Sequence, residues 1–268
     1  RNYDVILSES SAALGGRIEF ESNLKGLSAW GRVRDYRVHE IQQKTNIDIY
    51  TQSTVTQELV DELDIDNIFL ATGCYWRDDG VGRSNRQGIT GLANINVLTP
   101  TDVLQQQDSL EGPVVIYDDD QGYLGGVIAD HLSSIGLNIT FITPASVVSP
   151  WTENTLEQVR VQKTLLNQGV NIIPNQVLFH AHKDKIEARC VYTDRVTHIP
   201  CNTLILVTER LPETDLYQQL TAPTKTANLK KPRHIELIGD ALVPSLIADA
   251  VFSGHLAAEN FETPQNEI

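Results

Sequence analysis

The sequence predicts an α/β protein of two Rossmann-like domains, the second inserted into the first. Three observations carry this. Residues 113–143 read as strand (PVVIY), glycine-containing turn, helix from Tyr123 to Ile135 with Gly136 as its stop, and strand (LNITFIT). That is the spacing of a βαβ unit. Two further β-rich runs, at 3–8 (YDVILS) and Ile235 to Ile238, lead into an acid, Glu9 in one case and Gly239-Asp240 in the other. A third, Ile65 to Leu70, closes in Ala71-Thr72-Gly73. On this pattern residues 1–80 with 222–268 form one domain, and 81–221 the inserted one.

Composition narrows the possible functions. The 268 residues are 41% hydrophobic, enough for real cores, and carry a net charge of −14. An acidic surface repels phosphate backbones and anionic membranes, so neither nucleic acid nor a membrane is an expected partner. No apolar run approaches the length of a membrane span. Cys74, Cys190 and Cys201 form no CxxC pair and have no nearby basic cluster; they read as structural thiols of a reduced, cytoplasmic protein. No metal site is expected, because His131, His180, His182 and His255 lack Cys or carboxylate neighbours at ligand spacing. The chain contains no Met and begins with Arg1, so it reads as part of a longer protein.

In chain order, Glu9 ends a strand at the position that hydrogen-bonds an adenosine ribose in dinucleotide folds. The Gly-rich turn that precedes such an acid by roughly 20 residues would lie before Arg1. This places the chain's start inside a first βαβ unit. Gly15-Gly16 permit close backbone approach, and Arg17 beside them can face a phosphate. A plain glycine loop reads the same way. Trp30 to Thr45 is a helix carrying Arg32, Arg34, Arg37 and His39, a positive face in an acidic chain or simply a solvated one. Asn46 to Tyr50 is a strand and Val55 to Leu63 a polar helix or turn. At Ala71-Thr72-Gly73 small residues let backbone pass beside a ligand.

Residues 78–107 read as linker. The turn of the βαβ unit is DDDQGYLGG, with Asp118, Asp119 and Asp120 where a pyrophosphate would sit. Like charges at ~4 Å cost on the order of 4 kcal/mol near a surface, which counts against a pyridine nucleotide there. Trp151 to Gln168 reads as one helix stopped by Gly169, followed by short strands VNII, QVLF, IEARCVY and TLILVT. Glu209-Arg210 lies near the return to the first domain, and Lys225 to Arg233 is a basic loop. Gly239 allows close approach, Asp240 can accept from sugar or ribityl hydroxyls, and Pro244 opens a helix with Ile247, Ala250, Val251, Gly254 and Ala258 on one face. An ordinary turn with an acid would look alike.

Taken together, LGGRI, GLSAWGRVRDYR, FLATG, VVIYDDDQGYLGG, PWTENTLEQ, LILVTER and IGDALVPSLIADAVFSGH resemble the C-terminal half of the trimethylamine and dimethylamine dehydrogenase family. This group includes dimethylglycine and N-methylproline demethylase-type flavoproteins and is related to old yellow enzyme. The resemblance implies two domains of the glutathione-reductase-like FAD/NAD(P)-binding type, the first truncated at its N-terminus. It also implies a flavin-dependent oxidoreductase acting on CH–NH donors. A barrel outside this chain would hold FMN, a four-iron–four-sulfur cluster and the small methylated amine substrate, so no catalytic role falls on a residue here. ADP or FAD would bind this portion, with Glu9 at the ribose and Gly15, Gly16 and Arg17 near the diphosphate. Ala71, Thr72 and Gly73 would pass beside the ligand, and Gly239 and Asp240 would close the site. An electron-transferring flavoprotein is the implied partner, with the helix around Trp30 to Tyr36 as its docking surface, and a homodimer stays open. Two other readings remain: an enoyl-reductase-like enzyme using FAD and NAD(P)H, and a non-catalytic nucleotide-binding scaffold.

Overall fold

The computed structural model describes residues 3–63, 65–105, 110, 112–222 and 234–261; the basic loop from Lys225 to Arg233 lies outside them. Contacts divide the chain into two compact units. One comprises Arg1–Glu19, Arg32–Tyr75 and Arg210–Ile268, the other Phe20–Gly31 and Trp76–Glu209.

The first unit begins with β1 (Val5–Ser8), the short helix α1 (Ile18–Glu21, which runs into the second unit) and α2 (Gly31–Gln42). It continues through β2 (Ile47–Tyr50), α3 (Gln57–Leu63), β3 (Asn67–Leu70) and β4 (Cys74–Trp76). β1 and β2 pair in parallel, Val5 opposite Ile47.

The inserted unit carries β5 (Asn96–Leu98) and α4 (Pro100–Gln105), then β6 (Val114–Asp118), α5 (Leu124–Ser134) and β7 (Ile139–Ile142). It continues with α6 (Gln158–Asn167), β8 (Asn171–Ile173), β9 (Gln176–Ala181), β10 (Lys185–Cys190), β11 (Val196–Pro200) and β12 (Thr203–Val207). Its main sheet is parallel, in the order β5-β12-β6-β7-β8. β6 and β12 are buried on both faces, as unbroken runs of Val, Ile and Leu require. The two-residue period of a strand divides those runs between two cores. Val114, Ile116, Ile205 and Val207 face a core with Ile128, Leu132, Val161 and Leu165 of α5 and α6. Val115, Tyr117, Leu204 and Leu206 face Leu178, Ala181, Ile186, Ala188 and Ile199 of the antiparallel sheet β11-β10-β9. Leu24 and Leu27 belong to the helical core, and the Tyr123 hydroxyl donates to the buried Glu21 carboxylate at 2.6 Å. This is why residues 20–31 fold with the inserted unit although they precede it by 45 residues or more in sequence.

The chain returns through β13 (Arg210–Pro212), paired with β4, then α7 (Asp215–Thr221), β14 (His234–Leu237) and α8 (Ile247–Asn260). β14 lies parallel to β3, and Val60, Leu70 and Leu220 form a small core against this pair.

Several elements differ from the sequence reading. The expected linker contains β5 and α4, a three-residue strand being too short to show periodicity. The helix expected over Trp151 to Gln168 is two pieces, a 3₁₀ turn at Pro150–Glu153 and α6, because Leu156 takes a left-handed φ of 61°. α8 starts at Ile247, leaving Pro244 in the loop before it, and Ala257 rather than Ala258 is buried. β11 and α7 carried no signal strong enough to read. The inserted unit begins at Trp76 and ends at Glu209, where the sequence suggests 81 and 221, because α7 packs through Leu220 on the first unit.

Candidate functional site

The end of β14 delivers Gly239 and Asp240 into the first unit. Gly239 adopts φ 59°, and a Cβ there would meet the Ala250 Cβ at 3.6 Å. Its N–H donates to Ser253 Oγ at 3.0 Å, fastening the strand end to α8. Asp240, with a side chain 10% exposed, is the hub. Arg17 Nε lies 3.0 Å from Asp240 Oδ2, and Arg210 Nη1 3.7 Å from the same oxygen. Asp240 Oδ1 accepts the Ser245 N–H at 3.0 Å. The Ser245 carbonyl in turn accepts from Arg17 Nη2 at 2.7 Å and Arg210 Nη1 at 3.1 Å. Two guanidiniums thus hold one carboxylate and one carbonyl. Charge-assisted bonds of this kind are worth roughly 1.5–3 kcal/mol each when sheltered. The Cys74 thiol also reaches Asp240 Oδ2, at 3.5 Å. Burial first, then the Asp240 charge, pushes its pKa up to about 11, so it is a donor and not a nucleophile at neutral pH.

The fold thus brings Arg17 and Asp240 together from opposite ends of the sequence. Arg210, Ser245 and Cys74 complete the cluster. Sequence reasoning placed Arg210 only at the domain return and read Ser245 as helix, so neither carried a signal for this role. Glu9 follows β1; its Oε1 accepts from the Ser11 N–H at 2.7 Å and the Ser10 hydroxyl at 3.3 Å. Gly15 and Gly16 have φ of 134° and 56°. A Cβ on Gly15 would come within 2.8 Å of Arg34 Cδ, so that glycine lets Arg34 lie across the loop to pair with Glu19. Thr72 Oγ1 donates to the Glu213 carbonyl at 2.6 Å, while Gly73, at φ 82°, accepts the Glu213 N–H at 2.9 Å.

The positive face expected on α2 is narrower than its four residues. Arg34 is tied to Glu19 and Asp35, while Arg32, Arg37 and His39 stay exposed beside Tyr36. Two of the histidines each pair with one carboxylate at the surface. His182 Nε2 lies 2.8 Å from Glu187, and His255 Nε2 3.0 Å from Glu259 one helical turn on. Among the described residues no group of His, Cys, Asp and Glu is arranged to hold a metal ion, and no helix is long and apolar enough to cross a membrane.

Asp118 and Asp119 do not face an open seat as expected. Both are fully buried. Asp118 Oδ1 accepts the Gln121 N–H at 2.8 Å. Asp119 accepts N–H groups from Ser84 at 2.8 Å and Asn85 at 3.0 Å.

Two Rossmann-like units, one inserted into the other and the first closed by a Gly-Asp strand end, define the two-dinucleotide-domain oxidoreductase architecture. The chain belongs to the pyridine nucleotide-disulphide oxidoreductase family, whose sequence profile matches residues 3–231. Histamine dehydrogenase from Rhizobium sp. 4-9 is 37% identical, with a TM-score of 0.94 over 100% of this chain and 41% of its own. The 6-hydroxypseudooxynicotine amine oxidase of Pseudomonas geniculata N1 is 35% identical, with a TM-score of 0.92 over 97% of this chain and 39% of its own. Dimethylamine dehydrogenase of Hyphomicrobium sp. (strain x) is 26% identical over 294 residues, 100% of this chain and 40% of that protein. The chain is therefore homologous to flavin-dependent amine oxidoreductases and spans about two fifths of their length.

Proposed function

We propose that this chain is the nucleotide-binding and electron-transfer-partner portion of a flavin-dependent amine dehydrogenase or N-demethylase, and that its first unit holds ADP. The amine is oxidised elsewhere in such a protein, on FMN beside a four-iron–four-sulfur cluster. The residues here bind and support. The cytoplasm is the proposed compartment, on the strength of three cysteines none of which is in a disulfide.

One observation carries the choice of ligand. Both oxygens of Asp240 are engaged, Oδ1 by Ser245 and Oδ2 by Arg17, Arg210 and Cys74. An FAD would need this carboxylate for its ribityl hydroxyls and would have to displace buried charge-assisted contacts. ADP makes no such demand. The rest of the unit fits the adenosine end. Glu9 uses Oε1 on its own turn, and its Oε2 is engaged by no described group, which suits a ribose hydroxyl. Gly15-Gly16 give the backbone access a diphosphate needs. ADP supplies no redox chemistry, so its role would be to stabilise the unit by binding the folded state.

The partner proposed is an electron-transferring flavoprotein docking on α2, whose Arg32, Arg37 and His39 are exposed, and the substrate a small methylated amine. Calorimetry on the full-length protein tests the ligand. ADP should bind at least tenfold more tightly than NADH, and no weaker than FAD. Tighter binding of FAD, or tight NAD(P)H binding, would overturn the assignment.

A further inference from the structure

In dinucleotide folds, the turn after the first strand of a βαβ unit wraps the ligand's diphosphate with backbone N–H groups. Here the corresponding turn follows β6 and its own donors are already occupied: the Asp119 and Asp120 N–H groups donate to the Val207 carbonyl at 2.9 and 3.0 Å, and the Gln121 N–H to Asp118 Oδ1 at 2.8 Å. The side chain of Asp119 in turn holds the loop of residues 82–85. Asp119 Oδ2 accepts from Ser84 N at 2.8 Å and Asn85 N at 3.0 Å, while Oδ1 lies 3.1 Å from Ser84 N and 3.4 Å from Gln121 Nε2. A loop of backbone donors closed on one oxyanion is the arrangement a phosphate would receive. The loop is built for it. Gly82 packs so closely that a Cβ there would lie 2.5 Å from Asp119 Oδ2. Its N–H donates to the Asn85 carbonyl at 2.8 Å, and the Asn85 amide is pinned to the Leu178 carbonyl at 3.0 Å. Arg83 Nε donates to the Asp120 carbonyl at 3.0 Å, and the Arg83 guanidinium stacks 5.2 Å from the Trp151 ring centroid.

Asp118 adds an independent observation. Its side chain is fully buried, its Oδ2 has no hydrogen-bond partner, and a Cβ on Gly125 in the first turn of α5 would lie 2.7 Å from its Cγ. The space beside the helix start is thus filled by a carboxyl group. No room is left for a phosphate to approach Gly125. The sequence suggested repulsion by exposed charge; the geometry shows occupation.

We propose that two carboxyl groups close the diphosphate seat of the inserted unit, Asp118 by filling the space at the start of α5 and Asp119 by holding the Ser84 and Asn85 amides against the turn, so that this unit takes no dinucleotide and an external oxyanion reaches those amides only when the Asp119 carboxylate is removed. The inference is independent of ADP in the first unit, and its failure would leave that assignment standing.

Thermal unfolding of Asp119→Ala tests it. Losing the acceptor for buried N–H groups should lower Tm by roughly 5–10 °C. Formate or phosphate at tens of millimolar should restore at least half of the loss saturably, and chloride at equal ionic strength should not. Wild type should respond identically to all three salts. Equal responses of the variant to formate, phosphate and chloride would overturn the proposal. If the variant does not fold, wild-type hydrogen exchange decides. The Ser84 and Asn85 amides should exchange as slowly as those of β6 and be unaffected by NADH or ADP-ribose; fast exchange, or protection gained on adding either nucleotide, would overturn it.

Discussion

Asp118 is a carboxyl group placed where charge is costly. Burial pushes its pKa well above the usual carboxylate range, and the neighbouring Asp120 and Asp119 charges add to the shift. With the folded pKa above the unfolded value of about 3.9, Asp118 favours folding fully only below that pH. The contribution is then lost as pH rises toward the folded pKa. Asp118→Asn keeps the acceptor for the Gln121 N–H without the ionisable proton. Its denaturation midpoint should therefore gain on wild type steadily from pH 4 to pH 8; parallel pH profiles would refute this. The thiols make a second contrast. Burial holds Cys201 up at about 12 and Cys74 at about 11. Cys190 is lowered by the Thr193 hydroxyl and by the Tyr192 and Thr193 backbone N–H groups. A maleimide at pH 7.5 should label Cys190 first, as peptide mapping would show. Early modification of Cys74 would contradict the Asp240 geometry.

Among the elements, the break between the Pro150 turn and α6 rests on Leu156, a residue 91% exposed that holds φ 61°. The left-handed conformation costs a Cβ-bearing residue roughly 1–2 kcal/mol, while glycine's extra chain entropy returns part of that. Leu156→Gly should therefore stabilise the chain by about 0.5–1 kcal/mol, and Leu156→Ala should not. Equal midpoints for the two variants would show that the turn is set by something other than Leu156. Elements of this kind mark the limit of a sequence reading. β6, β12 and α5 were legible because long apolar runs or a helical period leave few alternatives. β5, β11 and the 3₁₀ turns were not, since three to five residues of mixed polarity take their conformation from the strand or loop they pack on.

At the scale of the whole molecule, function depends on surfaces and ligands. If α2 receives an electron-transferring flavoprotein, Arg32→Glu with Arg37→Glu in the full-length enzyme should slow electron delivery at least tenfold. It should also flatten the salt dependence, without altering reduction by amine in single turnover. Unchanged delivery would remove α2 from the pathway.

The sequence by itself determined the α/β class, the βαβ unit at 113–143, the strands ending at Glu9, Ala71-Thr72-Gly73 and Gly239-Asp240, and the kinship with amine dehydrogenases. These depend on local periodicity and on residue types that tolerate few substitutes. Only the tertiary structure decided what the acids do. Asp240 is sealed by Arg17 and Arg210, from positions 223 and 30 residues away, and Asp119 is capped by amides 34 and 35 residues distant. A carboxylate's partner is chosen by distance in space and by the burial that makes a missing partner costly. Neither is written in the neighbouring letters of the chain.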